Sequence, residues 1–362
     1  MLPYWLLFTL FSLGAVQANR NREHPGVRAR RSAPVLAFAG FLTAVLIGFR
    51  YEVGADWFTY VDIYEATSEM NLLEAVTYEA SDPGFALLNW VTGGLGLEVW
   101  SANFVCALIF SWGLVRFARV QPNPWLALVV AAPYLITVVA MGYTRQAVAI
   151  GIVLAGLARI GHAPIYQFAI YVIAATLFHK SAVIVLPIVA LASTRNRWVI
   201  ALMMAIIGAV LFFLFIDAAY ERLVTNYVEA EYSSQGAAIR VGMNIPAALL
   251  FMLFMKRFAE GEEERKVWRN MSLAALAALA LLLLSSASTA VDRSALYVIP
   301  LQIYVLSRLP IAFSKGGKPD ALLVFLVIAY SAAIMYVWLN YATHAEYWLP
   351  YQAYPLFAPK LY

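Results

Sequence analysis

Residues 142–197 read GYTRQAVAIGIVLAGLARIGHAPIYQFAIYVIAATLFHKSAVIVLPIVALASTRNR. Three apolar runs follow one another in this stretch, near 145–159, 164–179 and 181–194. Their charges alternate in placement. Arg145 stands before the first run and Arg159 after it, His179 and Lys180 occupy the next junction, and Arg195 and Arg197 close the third. A chain crossing a bilayer three times would gather Arg159, Arg195 and Arg197 on one side. Arg145, His179 and Lys180 would then meet on the other. The runs are rich in Leu, Ala, Val and Ile without period-two alternation, so membrane helices are expected rather than barrel strands. Composition extends the inference to the whole chain. Hydrophobic residues make up 63% and charged residues 13% of 362 positions, against about 45–50% and 25% in soluble domains. Lipid is the solvent such a chain requires.

Hydropathy places twelve spans, near 2–18, 33–49, 99–116, 124–142, 145–159, 164–179, 181–194, 198–216, 241–255, 270–290, 294–308 and 321–340. About 20 apolar residues cross a hydrocarbon core of about 30 Å. The first run lacks the positive charge that precedes a signal-peptide core, and its basic block, Arg20 to Arg31, comes afterwards. It is therefore expected to remain as a span with its N-terminus outside. That orientation puts 18 of the 25 Lys and Arg residues in cytoplasmic loops, as the positive-inside rule demands. Gly84–Leu97 is apolar but short. Counting it as a span would invert the later loops, so it is expected as an interfacial or re-entrant helix. Residues 50–98 then form a long first outer loop with surface-lying helices over Trp57–Ala80, and 217–239 a second. The acidic and basic run Glu260–Lys266 is expected to be a solvated connection. With no Gly/Ser-rich linker, residues 1–362 read as a single integral membrane domain. Cys106 lies within a span and reads as core packing.

The outer ends carry the chemistry-bearing residues. Arg50 opens Arg50-Tyr51-Glu52-Val53-Gly54-Ala55-Asp56, Arg145-Gln146 begins a span of about 15 residues, His179-Lys180 sits at a break, and Asp292-Arg293 interrupts another pair. A 15-residue helix is about 22 Å long, so its polar end would lie below the outer surface. Short helices meeting on one face predict an outward-facing polar cavity. An arginine at a helix end is ordinarily an interfacial anchor, and Trp and Tyr ordinarily populate the membrane boundary. Several ionisable groups at such depth nevertheless signal function.

The ordered motifs resemble the EpsG family of exopolysaccharide polymerases, relatives of Wzy-type O-antigen polymerases. They are Arg50-x-x-Val53-Gly54-x-Asp56-x-x-x-Tyr60, Asp82-Pro83-Gly84-Phe85-x-x-Leu88-Asn89, Arg145-Gln146, His179-x-Ser181-Ala182, Asp292-Arg293 with Tyr297, and Trp348-x-Pro350-Tyr351. Lys180 departs from the small residue expected beside the histidine. The resemblance implies an all-α, GT-C-like polytopic bundle in the bacterial plasma (inner) membrane. It further implies a glycosyltransferase that moves a polyprenyl-pyrophosphate-linked glycan onto a lipid-linked repeat unit at the outer, periplasmic face. A chain-length regulator is an implied partner alongside membrane lipid.

The chemistry demands cations for the pyrophosphate, for which Arg50, Arg145, Arg240 and Arg293 are candidates. Gln146, Lys180, Tyr60 and Tyr351 are candidate substrate contacts. Asp56 is the first choice as base for the acceptor hydroxyl, His179 is its rival, and Asp292 is expected to orient Arg293. The scattered histidines predict no metal site. The sequence suggests no cofactor, nucleotide-binding glycine loop or nucleic-acid partner. A lipid-linked oligosaccharide flippase and an O-antigen-ligase-like transferase remain as alternatives.

Overall fold

The computed structural model describes residues 1–20, 25–164, 166–192, 202, 236–259, 261–284, 288–314, 318–354 and 356. Helix accounts for 80% of the described residues, and no strand occurs among them. The α-helices are α1 (Leu2–Arg20), α2 (Pro25–Gly48), α3 (Trp57–Glu69), α4 (Leu72–Val76), α5 (Pro83–Gly94), α6 (Val99–Arg119), α7 (Pro124–Ala131), α8 (Thr144–Leu157), α9 (Tyr166–Thr176), α10 (Val185–Ala190), α11 (Ala237–Gly242), α12 (Ile245–Phe258), α13 (Glu262–Leu284), α14 (Ser288–Ala295), α15 (Pro300–Ala312) and α16 (Ala321–Tyr341).

Among the described residues, five stretches are long and apolar enough to cross a membrane: Val99–Arg119, Ala237–Phe258, Glu262–Leu284, Val291–Ala312 and Ala321–Tyr341. Shorter apolar helices cover Ala33–Gly48, Pro124–Ala140, Thr144–Leu157, Gln167–Thr176 and Lys180–Ala190. Eleven of the runs expected from hydropathy overlap described helix, five of them in the long stretches; all but residue 202 of the expected span 198–216, and most of the expected second outer loop, lie outside the described residues.

The chain divides into two compact units. The first contains Met1–Ala158, Leu177–His179 and Leu306–Tyr362. Its centre is α6 between α2 and α8, and small residues set the spacing. A Cβ added at Gly113 would lie 1.8 Å from the carbonyl oxygen of Gly151, and one at Gly48 would lie 2.5 Å from the Cα of Phe104. Lipid offers no hydrophobic drive between helices, so such backbone contact supplies the dispersion energy instead. Asn123 caps α7 by accepting from the Leu126 N–H at 3.2 Å, and its amide donates to the Ala15 carbonyl of α1 at 3.1 Å.

Beyond Ala131 the helix widens into a π-helical segment, Ala132–Ala140. The Thr137 hydroxyl donates back five residues to the Ala132 carbonyl at 2.9 Å. Such widenings gather at functional places in helices.

Residues 50–98, expected as a first outer loop, contain α3, α4 and α5. One face of α3 buries Trp57, Tyr60, Ile63, Tyr64 and Thr67 while Phe58 stays 66% exposed, the spacing of an amphipathic helix. The α3 and α5 helices are joined by the Asn89 amide donating to Thr67 Oγ1 at 3.1 Å. At 12 residues, α5 is about 18 Å long.

The second unit contains Arg159–Thr176 and Lys180–Val305. Here the expected solvated connection proves to be helix: α13 starts at Glu262, eight residues before the run read from hydropathy. Two causes are visible. Lys266 pairs with Glu262 at 2.7 Å across one turn. Val267, Trp268 and Met271 bury the opposite face. Trp268 stacks on Tyr304 with ring centroids 4.0 Å apart, and the Tyr304 hydroxyl donates to Phe258 O at 2.9 Å and Glu264 Oε1 at 3.0 Å.

Candidate functional site

The motif Arg50–Asp56 is a loop between α2 and α3, shaped by two positive φ angles, 50° at Glu52 and 106° at Gly54. Gly54 is required twice over. Its φ disfavours a side chain, and a Cβ there would come within 2.3 Å of the Met141 carbonyl oxygen. Asp56 follows at the N-cap of α3, half-buried, and its carboxylate makes no capping hydrogen bond. That is unusual use of an aspartate at a helix start, where its oxygen ordinarily accepts from N2 or N3.

Arg50, expected on the pyrophosphate, is enclosed instead. It is fully buried; Nε donates to Val53 O at 3.1 Å, Nη1 to Ile47 O at 2.7 Å and Nη2 to Thr144 Oγ1 at 2.7 Å. Its plane also stands 5.6 Å from the Trp57 ring. Burial lowers its pKa to about 10, partly offset by nearby tyrosines, so it is a cation at neutral pH. A guanidinium can be held this way because its donors form a fixed fork. Its evident task is to close the loop and fasten it to the start of α8.

Arg145 is different. Nη1 donates to Asp82 Oδ2 at 3.0 Å and to the Ala80 carbonyl at 3.3 Å, and the guanidinium lies 6.0 Å from the Tyr60 ring. Its side chain is 25% exposed, against 7% for Asp82. Among the described residues Nε and Nη2 have no hydrogen-bond acceptor, so most of the fork stays open while one edge is fixed. Tyr60 is itself braced edge-on by Phe85 at 5.5 Å.

Asp82 is placed by the N-terminus of α5. There Pro83 occupies the first helical turn, and the Gly84 N–H donates to Leu177 O at 2.7 Å. That contact needs a glycine, since a Cβ would approach the same oxygen to 2.9 Å. It also ties α5 to the short segment Leu177–His179, in which His179 is half-buried. Gln146, in the first turn of α8, is buried. Tyr351 gives its hydroxyl to Leu46 O at 2.8 Å and meets Tyr4 edge-on.

In the second unit, Lys180 begins a 3-10 turn, Lys180–Ile184, and the Ser181 hydroxyl is 3.4 Å from that of Tyr297. Arg240, at the end of α11, grips Asp292 side-on. Nε donates to Oδ1 at 2.9 Å and to Oδ2 at 3.1 Å, and Nη2 to Oδ2 at 2.5 Å. Asp292, expected to orient Arg293, thus takes up the fork of Arg240. Arg293 follows on α14, half-buried.

Asp82 was legible only as part of a motif. The Asp-Pro-Gly signature reads as an ordinary helix start, and nothing local to it reveals a partner 63 positions away.

An all-helical membrane protein with oriented Arg–Asp pairs at its helix ends is the class these observations define. The chain belongs to the EpsG family, whose model matches residues 35–353. The family suggests a polymerase of exopolysaccharide biosynthesis and is consistent with a glycosyltransferase-type enzyme. Neither a curated protein nor a solved structure matches the chain.

Proposed function

We propose that the protein is a GT-C-like glycosyltransferase at the outer face of the bacterial plasma membrane. It extends a glycan carried on polyprenyl pyrophosphate by transferring it to a lipid-linked repeat unit. One observation carries the reading: the half-open guanidinium of Arg145, fixed by Asp82 and seated over Tyr60, with donors left for a doubly charged leaving group.

In the reaction the acceptor hydroxyl attacks the anomeric carbon of the donor sugar. The bond from that carbon to the pyrophosphate oxygen breaks, and the electron pair leaves with the polyprenyl diphosphate. Arg145 is assigned to that departing charge, because a planar fork meets two phosphate oxygens at once. The hydroxyl proton passes to a carboxylate, for which Asp56 is preferred to His179. Asp56 stands at a helix start without capping it, on a loop held by Arg50 and Gly54. A positioned base contributes about 10²–10⁴-fold. Arg50, its donors engaged, is assigned to the loop, and Arg240 to Asp292 in its own unit.

The test is purified protein in detergent supplied only with lipid-linked repeat units. Ladders of longer glycan on the lipid support the proposal. No covalent change counts against it and favours a flippase, or a ligase whose own acceptor must be added before lipid diphosphate is released. Asp56→Asn is expected to abolish the ladder while the protein still accumulates in the membrane. Chains of normal length from that variant would remove Asp56 from the role.

A further inference from the structure

Residues 345–354 run back along the loop that carries Asp56, and the contacts between them are mostly made by main chain. The Tyr51 N–H donates to Gln352 O at 3.0 Å, the Tyr354 N–H to Phe49 O at 2.7 Å, and the Gly54 N–H to Tyr347 O at 2.8 Å. An isolated antiparallel bridge joins Arg50 to Ala353. The strap therefore holds the loop before, within and near the end of its tight turn.

What fixes the strap is Trp348. It is 2% exposed, its indole N–H donates to Thr137 O in the π-helical segment at 2.7 Å, and its own carbonyl accepts from the Tyr4 hydroxyl at 2.8 Å. Its ring meets Trp338 edge-on at 4.8 Å and covers Gly142, where a Cβ would come within 2.7 Å. Three residues beyond Gly142 stands Arg145. One side chain thus touches the turn leading into the proposed cation and belongs to the segment gripping the loop of the proposed base.

We propose that Trp348 is a positioning residue for glycan transfer, setting the Arg50–Asp56 loop against the start of α8. The inference rests on the transferase reading given above. Bulk alone would be served by any large apolar ring. The indole N–H on a main-chain carbonyl fixes the ring's orientation, and with it the strap's register. A misplacement of about 1 Å costs up to about 10²-fold in rate.

The experiment places a nitroxide on Ala55→Cys, an exposed loop position, in a Cys106→Ala background, and compares Trp348→Phe with the parent in detergent. A second nitroxide on Leu326→Cys, exposed on α16, serves as control. Trp348→Phe keeps an aromatic ring, though a smaller one, and removes the hydrogen bond to Thr137 O. The expected result is a more mobile spectrum at position 55, no change at 326, kcat lowered about tenfold or more, and KM for the lipid-linked repeat unit within about twofold.

An unchanged spectrum at position 55 overturns the proposal, and so does a mobile spectrum with unaltered kcat. Unlabelled protein with the native sequence that makes no glycan defeats the transferase reading, while the two spectra still decide whether Trp348 holds the loop.

Discussion

Replacing Arg145 with lysine removes geometry and keeps charge, which makes it the sharpest probe of the site. In the native protein Nη1 is held by Asp82 at 3.0 Å and Ala80 O at 3.3 Å, and among the described residues Nε and Nη2 have no acceptor. Each charge-assisted hydrogen bond contributes about 1.5–3 kcal/mol. A lysine ammonium held by Asp82 still offers a point charge but loses the second, parallel bond. The expected loss is therefore one such bond, or about 10–100-fold in kcat/KM for the lipid-linked donor. Arg145→Ala forfeits both and is expected to fall by about 10²–10⁴-fold.

Asp82→Asn separates anchoring from contact. With the Arg145 side chain 25% exposed, solvent screening limits the pair to about 0.2–1 kcal/mol. That variant should lose no more than about fivefold. The assay is initial-rate polymerisation in detergent, with each variant normalised to folded protein by gel-filtration recovery. Arg145→Lys within twofold of the parent would refute the argument from fork geometry. So would Asp82→Asn as damaging as Arg145→Ala, which would make the pair structural.

Gly113→Ala forces a methyl into the space held by the Gly151 carbonyl, 1.8 Å from where its Cβ would stand. It is expected to part α6 from α8 and cost about 1–3 kcal/mol, seen as a clear fall in midpoint on thermal unfolding in detergent; an unmoved midpoint contradicts the crossing. Tyr304→Phe deletes the donor to Phe258 O and Glu264 and is expected to cost about 1–2 kcal/mol. Glycan transfer at saturating substrate should be little changed, and a stability equal to the parent's would show the bonds to be idle.

Much of the fold was legible because hydropathy and charge are local. The runs at 99–116 and 321–340 matched α6 and α16 closely, since nothing but lipid and helix contacts decides their extent. The start of α13 was missed for the converse reason. Glu262, Lys266 and Trp268 form a helix by pairing across one turn and burying one face, which an average of hydropathy cannot register. At the site, Arg145 and Asp56 were identifiable as charges beside helix ends. Their circumstances were not. The bond from Arg145 to Asp82 spans 63 positions and that from Arg50 to Thr144 spans 94. Such pairings are properties of packing. Arg50 is an example: its motif and charge made it one of four candidates for the diphosphate, and the structure shows its donors taken by Val53 O, Ile47 O and Thr144 Oγ1.

The π-helical turns at Ala132–Ala140 carry a hidden arithmetic. Relaxing them to regular α-helix would strand a surplus residue, and each residue advances an α-helix by about 100°. Everything downstream would pivot by that amount, swinging Thr144 from Arg50 and Arg145 from Asp82. The azimuth of the entire corner is thus kept by a stretch whose own side chains are all greasy or small save Tyr134 and Thr137, and drift there would disarm the site without touching a single charged group.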